Sequence, residues 1–119
     1  MDEFNSHAYG GSLQISSEVI EKIARQAALE VDGVANVTPI IPGARTLLAK
    51  LPYAKPIHVE IKNEAADIMV SIVVKYGAKI PELSGRVQQN VKDAVQSMTN
   101  IMVGRVDLVV NGVDTGASE

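Results

Sequence analysis

Not one of the 119 residues is cysteine, which removes disulfides, thiolate metal sites and cysteine nucleophiles together. Tryptophan is absent too, and Phe4, Tyr9, Tyr53 and Tyr76 are the whole aromatic set. Two of those four fall in the polar head, so any core has to be aliphatic. Long apolar runs are missing: the best, Ile68 to Val74, is strand-length and far below the roughly 18 to 20 residues of a membrane helix. Met1 to Ser12 has no apolar centre of the kind a secretory signal carries. There is no basic excess either, since the net charge is −3, which disfavours non-specific nucleic-acid binding. Together these point to a cytoplasmic chain.

Catalytic patterns are also lacking. No P-loop appears and no G-x-G-x-x-G follows a strand. The serines have no G-x-S-x-G context, and the carboxylates form no acid/base pair. His58 and Glu60 lie two apart on one strand face and suit a shared metal, but no third ligand accompanies them and His7 sits in the head. They read as surface polar residues. The expectation is a protein without cofactor, metal or enzymatic activity.

Apolar residues make up 46% of the chain, enough for a folded domain, and their spacing is ordered. Ile68, Val70, Ile72, Val74 and Tyr76 recur every second residue, one face of a long strand, with Met69, Ser71, Val73 and Lys75 on the other. Gly77 turns the chain and Pro81 suits the first turn of a helix. Leu83, Val87, Val91, Ala94, Val95 and Met98 make its apolar stripe, and Asn100 fits the left-handed cap that ends it. Val106, Leu108 and Val110 then alternate as another strand. Upstream, Leu13 and Ile15 predict a short first strand, and Ser16 or Ser17 an N-cap. Val19, Ile20, Ile23, Ala24, Ala27, Ala28 and Val31 stripe a helix that Gly33 ends, with Glu18–Lys22 and Glu21–Arg25 as i,i+4 pairs. Ile57, Val59 and Ile61 predict a strand, and Asn63 to Asp67 a polar turn.

This spacing predicts an α+β two-layer sandwich in the order β-α-β-β-α-β, with a ferredoxin-like split βαβ arrangement as first choice. Residues 1–11 read as a disordered head, 12–113 as a single domain containing a variable linker at 34–56, and 114–119 as a frayed tail.

Val74-Lys75-Tyr76-Gly77-Ala78-Lys79-Ile80-Pro81-Glu82, Val87-Gln88-Gln89-Asn90-Val91, Met98-Thr99 and the run Val106 to Val113 are the first half of a distinctive ordered set. Ile15-Ser16-Ser17-Glu18-Val19-Ile20-Glu21-Lys22-Ile23-Ala24, Ala27-Ala28, Glu30-Val31 and Gly33-Val34 complete it. In this the chain resembles the bacterial alkaline-shock protein family of envelope stress response proteins, over roughly Leu13 to Val113. The resemblance implies a role in envelope or alkaline stress in a Gram-positive-type bacterium. It also implies membrane proximity gained through a partner and not through a span of the domain itself.

The linker carries the one charge asymmetry. From Val34 to Val59 there is no acid, while Arg45, Lys50 and Lys55 are basic; the 8 other bases face all 14 acids elsewhere, a balance of −6. With Leu47, Leu48 and Leu51, these cations form a candidate surface for a protein partner or an anionic membrane. The bland alternative is that the leucines cap the core. Tyr76 beside Gly77 is a second candidate contact, set against a simple glycine turn. The functional expectation is a scaffold or interaction module working through partners, which include a membrane-anchored protein, or through self-assembly. The alternative is a small regulatory module binding a ligand or RNA on its sheet, although Tyr76 is the only strand aromatic and no GXXG loop is present.

Overall fold

The computed structural model describes residues 13–39 and 55–116. They form α1 (Ser17–Leu29), β1 (Val34–Val37), β2 (Ile57–Lys62), β3 (Ala65–Lys75), α2 (Ile80–Thr99) and β4 (Met102–Asp114). The expectations for the head, for residues 40–54 of the linker and for the last three residues lie outside the described residues.

β3 is the axis of one mixed sheet. β4 runs parallel to it along its whole length, from Ala65↔Met102 to Lys75↔Asp114. β2 and β1 pair antiparallel with β3, β2 along its first half and β1 along its last residues. Alternation then assigns the faces. Ala66, Ile68, Val70, Ile72 and Val74 point to one side and are buried there with Ile20, Ala24, Ala27 and Ala28 of α1 and Leu83, Val87, Val91 and Val95 of α2. Both helices therefore cover the same face. The small side chains of α1 allow a close approach, and the Asn90 side-chain amide seals it by donating to Ala27 O at 2.7 Å. Fully burying an aliphatic side chain contributes about 1.5–3 kcal/mol, against tenths for a helix-surface ion pair, so packing holds the layers together.

The end signals behave as their chemistry requires. Ser16 accepts from Val19 N, Pro81 lies in the first turn of α2, and Asn100 closes that helix at φ 65°. The helix–helix layer and the long strand match the pattern read from the residues.

Several expectations need correction. Leu13 and Ile15 form no strand: Leu13 is 70% exposed, and the chain is already capping α1 at Ser16. The missing strand comes instead from the stretch read as linker. Val34 and Val37 both reach the core although three apart, because a bulge between Val34 and Asn36 resets the alternation. The order among the described residues is thus α-β-β-β-α-β. β3 and β4 also pair directly, whereas a split βαβ unit has a strand between them. The polar turn shrinks to Asn63 and Glu64, both at positive φ, with Ala65 to Asp67 already in β3. α1 ends at Leu29, and Gly33 instead turns the chain into β1 at φ 104°. Asp114, expected in the frayed tail, is the last residue of β4, where its carbonyl accepts from Tyr76 N at 2.9 Å. Val19 and Met98 prove exposed, because each lies at the margin of a stripe wider than the contact it makes. Glu21 pairs with Lys55 at 3.5 Å, not with Arg25, whose guanidinium donates to Val37 O at 3.3 Å.

Candidate functional surface

The face of the sheet away from the helices carries Met69, Ser71 and Val73 on β3, flanked by polar side chains. Register sets them in rows: His58, Met69 and Asp107 lie level across the strands, as do Glu60, Asp67 and Arg105. Arg105 and Asp107 pair at 3.0 Å and Lys62 and Glu60 at 3.6 Å. His58 and Glu60 do share this face, on exposed positions. Among the described residues, no three His, Cys, Asp or Glu side chains gather in a way that suits a metal ion.

Of the candidate partner surface, Arg45, Leu47, Leu48, Lys50 and Leu51 lie outside the described residues. Lys55 is half exposed and ties the chain to α1 through Glu21, at the mouth of a cavity of about 230 Å³ lined also by Lys22, Arg25 and Ile57. Tyr76 lies just beyond β3 and is 76% exposed. It is not on the strand's buried face, because the chain leaves the ladder at Lys75. Its N–H donates to Asp114 O, which sets Tyr76 at the end of β4, where Val113 is also exposed.

The feature that sequence reasoning did not locate is the outer edge of β4. Strand β3 occupies one side of β4. On the other side, Gln88 Nε2 of α2 donates to Val106 O at 3.1 Å, and Val103 N donates to Gln96 Oε1 at 3.1 Å. Since a residue's N–H and C=O leave a strand on the same side, Leu108 and Val110 also direct theirs outward. No bond from another described residue reaches those groups. Among the described residues, the two glutamines thus cover the first half of the edge and nothing covers the second half, towards Asp114. Alternating Val106, Leu108 and Val110 signalled a strand; that it ends the sheet depends on pairing no local pattern encodes.

Known proteins bear on this geometry. YqhY of Bacillus subtilis (strain 168) is 33% identical over 122 residues, covering 100% of this chain and 89% of that protein. YloU of the same organism is 33% identical over 106 residues, covering 87% and 88%. Among solved structures, the copper form of MamM CTD superposes with a TM-score of 0.51 at 13% identity, covering 86% of this chain and 91% of that one. That likeness concerns the fold alone. No helix among the described residues is long and apolar enough to cross a membrane. Residues 5–115 match the alkaline shock protein 23 family, described by a cell envelope-related function, and the chain belongs to that family.

Proposed function

We propose that this chain is a non-enzymatic interaction module of the cell envelope that assembles through the open half of the β4 edge and reaches the membrane by way of a protein partner. The observation that carries this reading is the uneven cover of β4. Unpaired edge groups are a template for another strand, and here the glutamines of α2 mask them only as far as Val106. The uncovered groups at Leu108 and Val110 lie on the strand that runs on to the exposed Val113 and to Asp114, whose carbonyl Tyr76 N reaches, so backbone bonds and apolar contact are offered along one edge. A second copy presenting the same edge antiparallel would extend the sheet while keeping all helices on one face. The cell envelope-related description of the family supports the location.

The test is concentration-dependent light scattering on the wild type and on Val113→Lys, since a lysine at a sheet edge opposes pairing. Assembly that grows with concentration and is lost in the variant supports the reading. A wild type that stays monomeric at every concentration overturns it, as does a Val113→Lys variant that assembles equally well.

A further inference from the structure

Only one asparagine of this chain, Asn111, is followed by glycine. In such a pair no side chain hinders the second residue's nitrogen from attacking the asparagine side-chain carbon. The fold gives this pair a particular position. Val110 packs toward the helices, so the next side chain leaves on the face away from them. Asn111 sits at the register slip where Ile72↔Val110 passes to Val73↔Gly112. Its Nδ2 donates to Thr38 O at 2.9 Å. Since β1 and β4 flank β3 on opposite edges, this bond crosses the central strand and ties the end of β1 to the edge strand. Thr38 is otherwise held by its own N–H, which donates to Ser71 O at 3.2 Å.

We propose that Asn111–Gly112 is a self-modification site, at which deamidation replaces the donor of this cross-strand bond with a carboxylate and releases Thr38. The Gly112 nitrogen gives its proton to solvent base and bonds Asn111 Cγ. The Cγ–Nδ2 bond breaks and Nδ2 takes a proton from solvent and leaves as ammonia. Water then opens the cyclic imide at either carbonyl, leaving aspartate or isoaspartate; nothing is oxidised or reduced. The ionised product has only acceptors to set against the Thr38 carbonyl, itself an acceptor. Isoaspartate also adds a backbone carbon to β4 and disturbs its register with β3. On this face the charged groups nearest to Asn111 in register are Lys75 of β3 and Asp114 of β4, with Asp107 and its partner Arg105 further along β4, then Asp67, His58, Glu60 and Lys62, while β1 contributes none. Ring closure requires Asn111 to leave its extended conformation, which the β3 ladder and the Thr38 bond oppose. The reaction therefore proceeds through local opening of this end of β4.

The experiment holds the full chain at mildly alkaline pH, folded and in urea, and follows position 111 by peptide mass mapping. In urea, conversion at Asn111 should outrun that at every other asparagine. In the folded protein it should be at least about tenfold slower, the factor set by about 1.4 kcal/mol of opening free energy. Gly112→Ala is a clean control, because the added Cβ meets Val73 Cγ2 at 3.6 Å, an ordinary contact; it should fold and convert more slowly. Asn111→Asp, the product itself, should exchange the Thr38 amide hydrogen at least about tenfold faster than the wild type. Equal conversion in folded and unfolded protein overturns the proposal. So does conversion indifferent to Gly112→Ala, or wild-type exchange at Thr38 in Asn111→Asp.

Discussion

Glu64 and Gly33 hold the two backbone conformations where single-residue changes should speak most clearly. Glu64 sits at φ 69° after Asn63 at φ 51°, the paired left-handed geometry of a two-residue hairpin turn that favours glycine at its second position. Relief of the left-handed cost, about 1–2 kcal/mol, exceeds the extra chain entropy glycine brings, about 0.4–1 kcal/mol. Glu64→Gly should therefore raise stability by roughly 0.5–1 kcal/mol, read from urea denaturation midpoints; a loss would show the turn is held by other contacts. Gly33 runs the other way. At φ 104° an added Cβ would stand 3.1 Å from Leu83 Cδ1, so Gly33→Ala meets both backbone strain and crowding. A cost of about 1–3 kcal/mol is expected by the same measurement. Of the two, Gly33 was visible in the residues as a turn, though its role lies in entering β1 and not in ending α1. The Asn63–Glu64 hairpin was visible only as a polar patch, because glutamate gives no sign of a left-handed position.

α2 is the element that joins stability to the edge. Leu83, Val87, Val91 and Val95 bury its stripe, and the stripe was legible because its period is local. Nothing in the spacing of Gln88 and Gln96 says that a strand passes beside them. Val103 N is part-buried and depends on Gln96, so Gln96→Ala should cost about 1–3 kcal/mol by leaving that donor unpaired. Gln88→Ala should cost less, about 0.5–1.5 kcal/mol, because its bond to Val106 O is exposed and water can replace it. The edge adds a second readout. Freeing Val106 O lengthens the open template, so Gln88→Ala should self-associate at lower concentration than the wild type in light scattering. Unchanged or weaker association would show that the glutamine does not shield the edge.

For the molecule as a whole, one aliphatic core carries the fold. Ile72 is fully buried at its centre, level with Val37 on one side and Val110 on the other. Ile72→Ala should cost about 2–5 kcal/mol, a large part of the about 5–15 kcal/mol typical of a domain, and thermal unfolding should show a correspondingly lower midpoint. Assembly through the edge has its own global signature. If native copies associate and unfolded chains do not, the midpoint should rise with protein concentration. A concentration-independent midpoint would argue for a monomer.

By itself, the amino-acid order determined the two helices, the long strand at Ile68 to Val74 and the cap at Asn100. Each rests on periods of two or of three and four, or on one residue's backbone preference, all expressed within a few positions. It also carried the family membership, through an ordered set of short motifs. Only the tertiary structure decided that Val34 to Val37 supplies a strand in place of Leu13 and Ile15, that β3 and β4 lie side by side in parallel, and that α2 shields half of an edge. Those outcomes come from competition among distant segments for the two sides of β3, and hydrophobic period does not record which segment wins.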